Sequence, residues 1–123
     1  MLVIAAPGQG AQTPGFLAPW LADPTTAEFV TELSEAAGLD LAHYGTDADA
    51  EEIRDTAVAQ PLLVAAGLAT AWALASRQTD VAGAASILTG HSVGEITAAA
   101  LAGVLSPTDA MTFVAKRGRE MAA

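Results

Sequence analysis

Apolar residues along this chain fall into two short continuous runs and several stretches at helical spacing, separated by turn-forming residues. Leu2-Val3-Ile4-Ala5-Ala6 ends in Pro7-Gly8, the pattern of a strand buried in a parallel sheet. Asp23-Pro24 then opens a helix that carries Phe29, Val30, Leu33, Ala36 and Ala37 on one side and stops at Gly38. Asp40 to Asp49, with His43 and Tyr44, reads as a loop or a short helical turn. Ala50 to Asp55 reads as a charged helical segment with Glu51 and Glu52 facing solvent. Gln60-Pro61 begins a long apolar helix reaching about Arg77, marked by Leu62, Leu63, Ala66, Ala69, Ala73 and Leu74. A helix apolar nearly all round belongs at the centre of the fold. Gln78 to Gly83 connects it to the second apolar run, Ala85-Ser86-Ile87-Leu88. An alanine-rich helix follows Gly94, and Ser106-Pro107-Thr108-Asp109 caps a last helix through Met111, Val114 and Arg117. Neither glycine nor proline ends that helix before Ala123, as in a sequence cut within or just after it.

Strand, helix, strand, helix, helix predicts an α/β fold: a parallel sheet flanked by helices, with one domain or part of one in residues 1–123. Composition narrows the function classes. Hydrophobic residues make up 52% of the chain and charged residues only 15%, so this sequence folds. Fourteen acidic residues against five basic ones, a formal charge of -9, argue against nucleic acid or an anionic membrane as partner. With no cysteine, disulfides, thiolate metal sites and a cysteine nucleophile are excluded. The run Leu2 to Ala6 is too short for a signal segment and no positive region precedes it, which predicts a cytoplasmic protein. Ala57 to Ser76 carries no charge, but Gln60, Pro61, Gly67, Thr70 and many alanines make a core helix the better reading than a membrane span.

Candidate chemistry centres on Gly90-His91-Ser92-Val93-Gly94-Glu95, between the second strand and the helix after it. A Gly-x-Ser-x-Gly sequence in strand-turn-helix context is the pattern of a nucleophile elbow. Its serine sits near backbone N–H groups and the positive end of a helix dipole, where developing negative charge is favoured. In this view Gly90 and Gly94 leave room for the turn and for a substrate carbonyl. The competing reading is structural: Ser92-x-x-Glu95 is also a capping box that would start a helix. Pro7-Gly8-Gln9-Gly10-Ala11-Gln12-Thr13-Pro14-Gly15 either presents backbone amides to a ligand at the carboxyl end of the first strand or is an ordinary turn. It lacks the glycine spacing of a dinucleotide fingerprint and the Gly-Lys-Ser/Thr of a phosphate loop.

Three separated stretches, Pro7 to Gln12, Gly90 to Glu95 and Arg117-Gly118, with Gln60-Pro61 before its apolar helix, together resemble the malonyl-CoA:acyl carrier protein transacylases and related acyltransferase domains of fatty acid and polyketide synthesis. The resemblance implies the N-terminal part of an α/β-hydrolase-like large subdomain, without the family's small ferredoxin-like subdomain. It implies Ser92 as the nucleophile, the backbone amides of Gln9 and Val93 as oxyanion hole, Arg117 as the holder of the malonyl carboxylate, and His91 as a secondary substrate-site residue. Read by itself, Arg117 is also a plain cation near a helix C-terminus beside Lys116 and Arg119. The partners implied are malonyl-CoA and acyl carrier protein, with no cofactor and no metal. The family's base is a histidine further along than Ala123; His43 matches no motif, and His91, next to the nucleophile, is poorly placed to serve as its base. A serine hydrolase of the α/β type, or a non-catalytic fragment that binds acyl-CoA or a partner and exposes an apolar sheet face, are the alternatives.

Overall fold

A computed structural model describes all residues, Met1–Ala123. The element order is β1 (Val3–Ala6), α1 (Ala18–Leu21), α2 (Pro24–Ala37), α3 (Leu41–Thr46), a single 3-10 turn (Glu52–Arg54), α4 (Thr56–Ser76), α5 (Val81–Ala84), β2 (Ile87–Gly90), α6 (Gly94–Leu101) and α7 (Pro107–Ala122). The two strands pair in parallel, Val3 opposite Ile87 through Ala6 opposite Gly90. The fold class is therefore α/β, as the alternation of patterns predicts. Side chains alternate across the sheet. Ile4, Ala6, Leu88 and Gly90 turn toward the helices, whereas Val3 and Ile87, 47% and 48% exposed, share an open face. The continuous apolar run of β1 thus overstates its burial, because only one face is covered.

The first long helix forms as its punctuation requires. Asp23 accepts from Thr25 N at 3.3 Å, Pro24 takes the first turn, and Gly38 ends the helix at φ 66°. The expected start of α4 at Gln60-Pro61 is wrong by one turn. Asp55, a better cap, accepts from Ala57 N at 2.8 Å and opens the helix at Thr56, which leaves Pro61 inside it. That region is where α7 crosses most closely: a Cβ added to Gly118 would lie 3.0 Å from Thr56 O and 3.5 Å from Pro61 Cδ.

Helix α4 is the hub. Val58 to Ala65 are all buried, and Leu62, Val64, Leu68, Val93, Met111 and Val114 belong to one core. Phe29 of α2 stacks on Trp72 with ring centroids 5.2 Å apart. By length and composition Thr56–Ser76 could cross a membrane, yet 67% of its most apolar stretch is buried in the fold, as suits a core helix. The segment Asp40 to Asp49 resolves as α3 with Asp40 as cap, and the charged segment after it is a 3-10 turn that buries Ile53. The second strand begins two residues later than its apolar run suggests and takes in Thr89 and Gly90, because pairing with Ala5 and Ala6 extends it.

Candidate active site

The register of the sheet assembles this region. Since Ala6 pairs with Gly90, the loop leaving β1 and the turn leaving β2 set out side by side from the carboxyl end. Ser92 lies in that turn, exposed, at φ 55°. A left-handed conformation in a residue with a Cβ costs about 1–3 kcal/mol and persists only where neighbouring bonds dictate it. Three bonds do so: His91 N donates to Ala6 O at 3.1 Å, Gly94 N to His91 O at 3.0 Å, and Glu95 N to Ser92 O at 2.9 Å.

The capping-box reading fails on this geometry. Val93, with helical φ of -57°, occupies the cap position of α6, and no side chain caps that helix. The Ser92 hydroxyl is thus free of any structural bond. The glycines leave room for the turn, as expected, but not for a substrate carbonyl. A Cβ on Gly94 would lie 2.8 Å from Pro7 O and from Ala6 C, and nearer still to Ala6 O; one on Gly90 would collide with the Gly94 carbonyl and Glu95 N. Backbone fills the room that the sequence reading reserved for a substrate carbonyl, so both glycines are required by the packing of helix on strand.

Val93 is 0% exposed and its N–H donates to no protein acceptor. Buried amides without partners are rare and costly, which singles this one out. Gln9 sits on the facing loop with its N–H likewise unclaimed, while its side-chain Nε2 donates to Thr56 Oγ1 at 3.1 Å. Gln12 does the structural work of the loop: its Oε1 accepts from Gly10 N at 2.8 Å and its Nε2 donates to Ile53 O at 3.0 Å. The His91 ring lies back on that loop, for a Cβ on Gly8 would come within 2.6 Å of its Nδ1.

Arg117 is half-buried on α7 and points its Nη1 at Gln60 Oε1, 2.7 Å away. Its neighbours Lys116 and Arg119 are exposed, so the plain C-terminal cation describes them and not Arg117. Contacts therefore run unbroken from Ser92 and His91 through Gly8 and Gln9 to Thr56, and along the first turns of α4 through Gln60 to Arg117. His43 stands apart. Its Nε2 is 3.7 Å from Glu52 Oε1 and its ring meets Tyr44 edge-on, a structural role. Thr56 and Met121, which touches Gln60 from α7, belong to no sequence motif; Gln60 could have been suspected as an amide in an apolar stretch, where burial demands a partner.

Residues 5–123 match the acyl transferase domain family. The malonyl CoA-acyl carrier protein transacylase of Mycobacterium tuberculosis strain H37Rv is 54% identical over 122 residues, which cover 99% of this chain and 40% of that protein. The crystal structure of MCAT from Mycobacterium tuberculosis superposes with a TM-score of 0.90 at 52% identity, again over 99% of this chain and 40% of that one. A type II PKS acyl-carrier protein in complex with its malonyl-transacylase gives 0.84 at 34% identity, over 98% and 38%. This chain thus spans about two fifths of the length of the relatives it matches.

Proposed function

Because the chain belongs to the acyl transferase domain family, we propose that it supplies the serine-bearing part of an enzyme that moves a malonyl group from malonyl-CoA to acyl carrier protein. The observation that carries this is the pairing of a strained, exposed Ser92 with a buried Val93 amide that has no acceptor. Ser92 Oγ attacks the thioester carbonyl and loses its proton to a base. The carbon–sulfur bond breaks, and coenzyme A leaves as the thiol with a proton. In the second step the phosphopantetheine thiol of the carrier attacks the serine ester, and Oγ recovers its proton as the new thioester forms.

Each tetrahedral intermediate places negative charge on the former carbonyl oxygen, which the amides of Val93 and Gln9 would hold. A single such donor is worth roughly 3 kcal/mol in the transition state. Arg117 would take the free malonyl carboxylate through two parallel bonds, a geometry that a guanidinium offers and an ammonium does not. His91 would line the acyl site from the loop side. Neither histidine of the chain is assigned as base; the resemblance puts that residue in sequence beyond this stretch.

The finer description follows the same reading: residues 1–123 are the N-terminal part of the catalytic domain, in its α/β-hydrolase-like large subdomain and without the small ferredoxin-like one. The enzyme works in the cytoplasm. A hydrolase that discharges to water would give Arg117 no task. Intact mass of the native polypeptide, before and after malonyl-CoA, tests the proposal. One added malonyl group, absent in Ser92→Ala and lost on addition of holo acyl carrier protein, supports it; labelling that persists in Ser92→Ala overturns it.

A further inference from the structure

The arrangement around Arg117 goes a step further than its assignment. We propose that Gln60, oriented by Met121, is a positioning residue that aims the Arg117 guanidinium at the substrate carboxylate while leaving its charge unneutralised. The inference rests on the malonyl reading of Arg117.

Gln60 is 2% exposed and flanked by Val58, Ala59, Pro61 and Leu62, all buried. An amide in such a place must find partners. It has two, both from one face of α7, since residues four apart on a helix lie one above the other. A guanidinium only donates, so the atom 2.7 Å from Arg117 Nη1 must be the amide oxygen. A thioether only accepts, so the atom 3.3 Å from Met121 Sδ must be the amide nitrogen. The two neighbours demand the same orientation of one amide. One guanidinium N–H is thereby committed, and the remaining donors can still form a fork for a carboxylate.

The choice of an amide over an acid has a consequence in a chain of this charge. Fourteen acidic residues are present, yet none pairs with Arg117; the one close approach of a basic to an acidic side chain is His43 Nε2 to Glu52 Oε1. A glutamate at position 60 would have the same reach, but it would neutralise the guanidinium and compete with an incoming carboxylate for the same fork. Glutamine fixes the direction of Arg117 and leaves its full charge to the ligand.

The test uses the native polypeptide with malonyl-CoA and acetyl-CoA as alternative donors, reading KM and kcat for each. Gln60→Glu is expected to raise KM for malonyl-CoA by about tenfold or more and to change acetyl transfer by less than about twofold, because acetyl presents no carboxylate. Met121→Leu, at an exposed position, removes the acceptor that orients the amide and is expected to raise malonyl KM by about two- to fivefold with kcat unchanged. If Gln60→Glu fails to fold, Gln60→Met carries the same comparison, since it fills the space and leaves Arg117 unanchored. A malonyl KM that stays at the wild-type value in whichever Gln60 variant folds, or equal losses for both donors, overturns the proposal. Wild-type protein that takes acetyl as readily as malonyl onto Ser92 would overturn the reading of Arg117 itself, and this inference with it.

Discussion

Replacing Gly94 with alanine sets two physical effects of opposite sign against each other. Gly94 is the first residue of α6, and helix propensity alone favours alanine over glycine by up to about 1 kcal/mol. The added Cβ, however, would sit 2.8 Å from Pro7 O and Ala6 C and closer still to Ala6 O. These are backbone atoms that cannot rotate aside. Ala6 O also accepts the 3.1 Å bond from His91 N that ties the turn to β1. Overpacking against rigid neighbours costs typically about 1–3 kcal/mol, and weakening the His91 bond adds up to about 1 kcal/mol. The net expectation is a loss of about 2 kcal/mol. With a urea slope of about 2 kcal/mol/M, the unfolding midpoint of the native polypeptide should fall by about 1 M. Ser92 should also be displaced, and a misplacement of about 1 Å can cost about a hundredfold in the rate of acylation. A midpoint that rises or stays unchanged would refute the close approach of α6 to β1, and with it the account of why the elbow needs its second glycine.

Other expectations concern separate parts of the chain. Arg117→Ala should lower kcat/KM for malonyl-CoA by about a hundredfold and spare acetyl-CoA, whereas equal losses would remove Arg117 from carboxylate recognition. Ser106 Oγ accepts from Asp109 N at 3.1 Å at the start of α7. Ser106→Ala should therefore cost about 1 kcal/mol in urea unfolding with the malonyl-to-acetyl ratio unchanged. The hydroxyl of Thr26 donates to Asp23 and holds that carboxyl below the ordinary aspartate range, helped by the Thr25 amide and hydroxyl and by the charge of Arg77 and opposed by desolvation. Asp23 then binds a proton more weakly in the folded chain than in the unfolded one. Its stabilising contribution is complete above the unfolded pKa and is lost as pH falls through the lowered folded value. Thr26→Val should flatten the acid limb of stability against pH, measured by thermal unfolding between pH 5 and pH 2, and an unaltered limb would count against this linkage.

Local signals in the sequence were sufficient wherever the structure is decided locally. Asp23-Pro24 and Gly38 bound α2, and Ser106-Pro107 starts α7, because a cap or a stop depends on dihedral angles and hydrogen bonds within a few residues. The strand-turn-helix setting of Ser92 was legible for the same reason, since its three parts are contiguous in the chain. Where a proline and an aspartate competed to open α4, the sequence pointed to Pro61 and the fold used Asp55. A start signal only permits a helix, and packing under α7 keeps Pro61 helical. What fills the space beside Gly94 is equally invisible in one dimension, because Ala6 and Pro7 come from more than eighty residues away in sequence. The partnership of Arg117 with Gln60 and the placing of Gln9 on Thr56 arise from the crossing of α7 over α4 and from the parallel register of β1 and β2. The chain alone tells which residues carry hydroxyl, amide or cationic groups and where caps and stops fall; which of them meet follows from the packing of whole elements, because contacts between distant segments leave no periodicity in the sequence.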